Sequence, residues 1–396
     1  MVEGKKICFL CPWMNNDGGL QRVVSNLANQ FAENNDVTIA IVSYSTERPY
    51  YPLKSNIEVF YLNKVSFKCF GVVRRAVGKV LNCRAIPWIR LNEECYYPKA
   101  RVDVLQEFLE IGKFDVVIAS SGDVSLLLAK TDRAKFDSTL IGWQHNSVKL
   151  YFETPKKYYY GRKELAQKLY KNLDMLVCLT EKDANEYKNK LGLRSCCIYN
   201  PLSYTSETVT DGKKKNVVFV GRLEWEQKGL DYLLEIIDRF YRNDRFKDWT
   251  FTVVGDGNDR VRLENELEGK KYQKNIRLVG KTQDVKKYFL DSSICLNTSK
   301  WEGFGLVITE AMECGVPVIA FATDGPLEII TSGVDGYIIP KYDLNIFTDK
   351  LLRLASSYEL RSSMAKEAKK KAGYFSMQHI FRQWNMMIDD VSGGGV

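Results

Sequence analysis

No run of apolar residues in this sequence approaches the roughly 18 needed for a membrane helix. The start is polar through Lys6 and leads straight into Ile7-Cys8-Phe9-Leu10-Cys11, too short and too strand-like for the apolar core of a secretory leader. A cytosolic protein is expected. Histidine is almost missing, with only His145 and His379. No Asp-x-Asp triplet occurs, which argues against an obligatory Mg²⁺ or Mn²⁺ clamp. Ten cysteines are present, yet Cys8, Cys178, Cys196, Cys197 and Cys295 fall inside apolar runs, where cysteine behaves as a small hydrophobe. Cys8 and Cys11 form a Cys-x-x-Cys, but no second pair and no neighbouring histidine completes a zinc set. The pair also lies in a strand, whereas redox pairs open a helix. Reduced thiols and no resident metal are expected.

Positive charge is present in excess. The 57 Lys+Arg outnumber the 49 Asp+Glu, for a net charge of +8 that attracts anions without naming them. Lys64, Lys68, Arg74, Arg75, Lys79, Arg84 and Arg90 interleave with Phe67, Phe70, Val72, Val73, Val80, Leu81, Ile86 and Trp88. A second cluster holds Lys149, Lys156, Lys157, Tyr158, Tyr159, Tyr160, Arg162, Lys163, Lys168 and Lys171. Both suit an anionic membrane surface or an anionic acceptor. Nucleic acid is not expected, since only Tyr158–Tyr160 offers stacking aromatics among cations.

Short apolar runs alternate with helical patterns: Ile7–Leu10, Val37–Val42, Ile57–Leu62, Val116–Ala119, Leu140–Trp143 and Met175–Leu179. After Asn200-Pro201 and a polar stretch from Ser203 to Lys215, read as a linker, the series restarts. Its members are Val217–Val220, Phe251–Val254, Ile276–Val279, Ile294–Leu296, Val316–Ala320 and Tyr337–Ile339. That alternation predicts α/β architecture with parallel sheets. Two Rossmann-like doubly wound domains, 1–200 and 201–375, are expected to face each other across a cleft, followed by a terminal helix at 376–391. The tail Ser392-Gly393-Gly394-Gly395 reads as disordered.

The densest motif is Ser299-Lys300-Trp301-Glu302-Gly303-Phe304-Gly305-Leu306-Val307-Ile308-Thr309-Glu310-Ala311-Met312. A strand, two glycines and a helix start would aim the amides of Gly303, Phe304, Gly305 and Leu306 and the positive helix end at one point, where phosphate binds. Glu310 is expected roughly two turns along the helix, a nucleoside's reach from the phosphates, and Glu302 at the helix entrance can hold sugar hydroxyls. Two glutamates with seven residues between them, enclosing Gly-Phe-Gly and continuing into Glu313-Cys314-Gly315-Val316-Pro317, resemble the donor-site motif of the retaining family-4 GT-B glycosyltransferases.

That resemblance extends to other positions. Val220-Gly221-Arg222-Leu223-Glu224-Trp225-Glu226-Gln227-Lys228-Gly229 is similar to the family's Gly-Arg…Lys-Gly pattern, which implies that Gly221, Arg222 and Lys228 hold the donor diphosphate. Asp17-Gly18-Gly19-Leu20 resembles the diglycine loop that closes on the donor phosphate and the acceptor. His145 stands at the strand end where the family has a histidine contacting the sugar. His379 is left structural. Gly255-Asp256-Gly257 resembles a turn reaching the nucleotide, and Gly280-Lys281-Thr282 the loop meeting the base. The loop Asp324-Gly325-Pro326-Leu327-Glu328 is shorter than in many members, so sugar specificity cannot be borrowed from it.

The resemblance implies a metal-independent transferase that moves a hexose or N-acetylhexosamine from a nucleotide sugar, chiefly UDP-linked with GDP-mannose as rival, by front-side displacement. Its acceptor would be a glycan or a polyprenyl-linked glycan in polysaccharide or glycoconjugate biosynthesis. No cofactor beyond that co-substrate is implied, and the enzyme would be cytoplasmic, with peripheral contact to an anionic membrane. Relatives also imply that the last helix crosses back to the first domain. Two other classes stay open: a non-catalytic sugar-nucleotide-binding scaffold, and a GT-B sugar-nucleotide epimerase, which would need more carboxylates and histidines around His145.

Overall fold

The computed structural model describes residues 2–43, 47–62, 93–94 and 96–393. The basic, aromatic stretch from Lys64 to Arg90 lies outside the described residues, as do the last glycines of the tail. Contacts divide the chain into two units, Met1–Pro201 with Ile380–Val396, and Leu202–His379.

The first unit holds a wholly parallel sheet of β1 (Lys6–Cys11), β2 (Asp36–Ile41), β3 (Glu58–Tyr61), β4 (Val116–Ala119), β5 (Thr139–Trp143), β6 (Met175–Cys178) and β7 (Ser195–Cys197). Their order is β3-β2-β1-β4-β5-β6-β7. The central strands bury every residue of Val116–Ala119 and Met175–Cys178, as expected where helices cover both faces of a parallel sheet. The helices here are α1 (Gly19–Phe31), α2 (Lys99–Gly112), α3 (Gly122–Ala129), α4 (Lys163–Leu169) and α5 (Glu181–Leu191). Ser121 and Thr180 side chains accept from Val124 N and Asp183 N to cap α3 and α5, and Gly192 ends α5 at φ 65°.

The second unit repeats the plan with β8 (Asn216–Val220), β9 (Thr250–Val254), β10 (Ile276–Gly280), β11 (Ile294–Asn297), β12 (Val318–Phe321) and β13 (Gly336–Ile339). Their order is β10-β9-β8-β11-β12-β13, again all parallel. Around the sheet run α6 (Trp225–Lys228), α7 (Leu230–Tyr241), α8 (Arg260–Leu267), α9 (Lys286–Leu290), α10 (Leu306–Glu313), α11 (Asp324–Ile329), α12 (Leu344–Ser356) and α13 (Tyr358–Ala372). In each sheet the strand order reverses beside its first strand, and such switch points are where doubly wound sheets bind ligands.

The last helix, α14 (Met377–Ser392), joins the first unit from Ile380 onward. Phe381 meets Phe31 of α1 edge-on at 4.7 Å between ring centres, and the fully buried Trp384 meets Trp143 of β5 at 5.0 Å. Among the described residues no helix is long and apolar enough to cross a membrane.

The polar stretch read as a linker is not free. Leu202 N donates to Phe375 O, Ser206 N to a Glu313 carboxylate oxygen at 2.8 Å, and Thr210 N to Cys314 O, so the segment is laid along the second unit. Polar hydrogen bonds rather than apolar periodicity hold it there. Cys8, Cys11, Cys178, Cys196, Cys295 and Cys314 are free thiols, and burial pushes Cys8 and Cys11 up, Cys11 to about 12, in keeping with a small-hydrophobe role.

Candidate active site

In the second unit the chain leaves β11 at Asn297 and reaches α10 through Thr298–Gly305. Gly305 has φ 102°, a backbone conformation that side chains avoid, and the helix begins immediately after it. Glu302, Gly303 and Phe304 therefore precede the helix, and Glu310 stands about one turn inside it rather than the two expected, because Gly305 delays its start. The loop is pinned by α11: Gly325 N donates to Glu302 O at 3.2 Å, and a Cβ on Gly325 would lie 1.9 Å from Phe304 O. Phe304 is buried against Phe375. The first N–H groups of α10 have no acceptors within the helix and carry its positive dipole end.

Beside that helix end the structure joins two residues that lie far apart in sequence. Lys228 Nζ donates to Glu302 Oε2 at 2.6 Å, and Ser299 Oγ donates to the same oxygen at 3.1 Å. Both charged side chains are 16% exposed, so the pair is shielded from water without being sealed. Thr298 Oγ1 donates to Lys228 O at 2.7 Å, and a Cβ on Gly229 would lie 2.2 Å from Thr298 O, so α6 and the β11 loop are in backbone contact. Sequence reasoning gave Lys228 and Glu302 separate roles and none to Ser299, although all three lie inside the motifs quoted.

Arg222 is not part of this group. Its Nη1 pairs with Glu224 at 3.0 Å and the side chain is half exposed. The neighbouring loops are stitched together: Gly221 N donates to Val254 O, Leu223 N to Asp256 O, and Gly255 N to Gly280 O. Gly255, at φ 135°, packs so closely that a Cβ would lie 1.9 Å from Gly221 O. The carboxyl ends of β8, β9 and β10 thus present one surface, with Lys281 exposed at its edge.

Glu310 is 1% exposed and accepts from Ser203 Oγ, while its carbonyl accepts from Tyr204 OH at 3.4 Å. On the same helix Glu313 accepts from Ser206 N and from Lys369 Nζ at 2.6 Å. The misread linker therefore supplies partners to both carboxylates.

In the first unit Gly18 and Gly19 follow β1 and start α1. Gly18 has an ordinary φ of −65°, and its value is space, since a Cβ would lie 2.3 Å from Gln21 Oε1. His145 follows β5. Its ring packs on Trp143 at 4.5 Å, its backbone N–H donates to Tyr151 OH at 3.2 Å, and its Nε2 is buried without a hydrogen-bond partner among the described residues. Burial pushes its imidazole down to about 3, so it is a neutral donor and acceptor at physiological pH. A buried, unsatisfied nitrogen at a strand end is what a ligand hydroxyl would satisfy.

Comparison with known proteins gives the same reading. Residues 17–203 match the family model described as Glycosyltransferase Family 4, and residues 204–371 match Glycosyl transferases group 1. The chain is 27% identical over 397 residues, covering 97% of itself and 99% of the relative, to the amylovoran biosynthesis glycosyltransferase AmsD of Erwinia amylovora. Its fold is similar to a TarM mutant of S. aureus, in complex with fondaparinux, alpha-GlcNAc-glycerol and UDP, with TM-score 0.75 at 16% identity, over 97% of this chain and 100% of that one. It is also similar to Anabaena HepE in complex with UDP, with TM-score 0.72 at 16% identity, over 97% and 100%. Two parallel doubly wound units and matched models over both halves place the chain in the family-4 glycosyltransferases of GT-B fold.

Proposed function

We propose that this glycosyltransferase moves a hexose or N-acetylhexosamine from a UDP-sugar to a hydroxyl of a glycan or lipid-linked glycan, with retention and without a metal. The observation that carries the reading is the Lys228–Glu302 pair at the amino end of α10. The helix amides and Lys228 receive the diphosphate, Glu302 holds sugar hydroxyls, and Glu310, one turn on, takes the ribose. Arg222 and Gly221 complete the diphosphate side, and Gly255 and Lys281 border the nucleoside. In the first unit, neutral His145 is assigned to a sugar hydroxyl and Gly18-Gly19 to phosphate and acceptor. The UDP named with TarM and HepE supports the choice of base.

In the reaction the bond from the anomeric carbon to the diphosphate oxygen breaks, and the bond to the acceptor oxygen forms on the same face. The acceptor proton passes to a leaving phosphate oxygen. Charge grows on that phosphate, so fixed cations and amides aimed at it stabilise the transition state more than the ground state. The basic segment Lys64–Arg90 is assigned to peripheral attachment on an anionic membrane.

The test is a panel of UDP-, GDP- and ADP-sugars, with EDTA or Mg²⁺, read by thermal shift and by slow release of free nucleotide. Stabilisation and release with one UDP-sugar, indifferent to EDTA, is expected. Silence across the panel would turn the reading to a scaffold, EDTA sensitivity would overturn metal independence, and a product anomer opposite to the donor's would overturn retention.

A further inference from the structure

The segment that follows His145 in the first unit is built unlike an ordinary surface loop. It opens with a π-helical turn, Lys149–Glu153, in which Thr154 N donates to Lys149 O at 3.0 Å, and such turns concentrate at functional sites. The chain then doubles back, with Tyr159 N donating to Tyr151 O at 2.8 Å and Gly161 N to Phe152 O at 3.2 Å. Between these points Lys156 and Tyr158 both take left-handed backbone angles, φ 61° and 28°, which non-glycine residues hold only when their surroundings impose them.

The inner side of the segment is firmly held. Tyr151 is buried, receives the His145 N–H and packs on Tyr159 at 4.9 Å between ring centres. Tyr159 OH accepts from Asp123 N at 2.9 Å, and the Arg162 guanidinium lies 3.3 Å from the Tyr96 ring centre and 3.8 Å from the Asp123 carboxylate. Its outer side is open to solvent. Tyr158, whose ring also meets Tyr151 edge-on at 5.5 Å, and Tyr160 are each 49% exposed, and Lys149 and Lys156 face solvent. Residues 149–163 carry five cations and one carboxylate, Glu153, which Lys163 already engages at 2.5 Å.

Resting on the transferase reading above, we propose that this segment is the acceptor-recognition element and that its ligand is a glycan bearing negative charge. Tyr158 and Tyr160 offer flat, rigid faces to sugar rings at little entropic cost, and Lys149 and Lys156 neutralise phosphate or carboxylate groups on the same chain. The discrete, over-anchored platform favours one chain of sugars over a lipid surface. A membrane-seated element would show a broader apolar face, and here the exposed aromatics are two tyrosines with polar tips. The bond from Tyr151 to the His145 backbone ties occupancy of the platform to the strand end where the sugar is assigned.

The test uses the full chain with three probes at low and high salt: a phosphorylated malto-oligosaccharide, an oligogalacturonate, and an uncharged malto-oligosaccharide of matched length. Wild-type protein should bind one of the anionic oligomers at least tenfold more tightly than the neutral one, with a preference that shrinks in high salt. A Lys149→Gln/Lys156→Gln variant should lose that preference, and Tyr158→Ala/Tyr160→Ala should weaken both anionic and neutral binding. Acceptor-independent release of nucleotide from the donor should match wild type in both variants, and the thermal midpoint should match in the lysine variant, which separates this proposal from the donor chemistry. Variants that bind as wild type does, or a wild type with no anionic preference, would overturn the proposal. So would flotation with phosphatidylglycerol but not phosphatidylcholine vesicles that is lost in the lysine variant, since the element would then be a membrane contact. Absence of donor turnover in wild type alongside the expected oligomer binding would instead refute the proposed reaction and leave the platform standing.

Discussion

Replacing Lys228 by alanine removes a charge-assisted hydrogen bond of 2.6 Å to a carboxylate from which solvent is largely excluded. Two effects follow, and their sizes differ. For stability, a hydrogen bond to a charged group is worth about 1.5–3 kcal/mol. At about 2–4 °C per kcal/mol for a domain of this size, the midpoint should fall by roughly 3–12 °C. For turnover, a fixed donor aimed at developing charge is worth on the order of 10²–10³ in kcat, while the bound donor, whose charge is already partly met by helix amides, should weaken less than tenfold. The assays are donor hydrolysis for kcat, titration calorimetry for donor affinity, and a double-mutant cycle with Glu302→Gln for the coupling. The midpoint losses of Lys228→Ala and Glu302→Gln should be less than additive, because each breaks the same bond. Turnover at the wild-type rate, or donor affinity lost by as large a factor as turnover, would refute the assignment of Lys228 to the leaving phosphate.

His145 has its imidazole pushed down to about 3, so between about pH 6.5 and 3 the unfolded chain takes up a proton that the folded chain refuses, and stability falls as pH falls through that window. Acidification from pH 7 to 5 should cost about 1–2 kcal/mol at this site, and His145→Asn should flatten that part of the profile; an unchanged slope would be the contrary result. Gly325→Ala would place a methyl 1.9 Å from Phe304 O and push the Glu302–Gly305 loop outward. The expected readout is a loss of about 1–3 kcal/mol with a raised donor KM, and an unaltered KM would show that α11 does not hold the loop. Trp384→Ala removes the buried partner of Trp143 and should cost about 3–5 kcal/mol; an unfolding transition of the first unit at the wild-type urea concentration would contradict the packing.

The strands of both units were legible because a parallel sheet covered on both faces needs apolar runs, and among the described residues twelve of the thirteen strands overlap one, even where Thr38, Thr252 or Arg277 interrupts it. The exception, β7, is only Ser195–Cys197, a half-buried edge strand too short for any pattern. The glycine motifs were legible for a steric reason: Gly255, Gly305 and Gly325 sit where a side chain would strain the backbone or strike it. What could not be read was which side chains meet across those loops. Lys228 and Glu302 come together through strand order and through the close approach of Gly229 to Thr298, neither of which leaves a local trace.

The two carboxylates of α10 show why charge in a motif does not reveal its use. Glu310 and Glu313 are both buried, one turn of helix holds both, and the same polar segment after Pro201 supplies hydroxyl or amide donors to each. They differ in what else they meet. Glu313 is fully answered from within, by the Ser206 amide and the Lys369 ammonium, a combination that fastens the segment and α13 to the helix and leaves a ligand nothing to gain. Glu310 accepts from the Ser203 hydroxyl at its carboxylate and from Tyr204 OH at its backbone carbonyl. The segment after Pro201 therefore fastens to both carboxylates of α10, with residues whose polarity made them look like a tether.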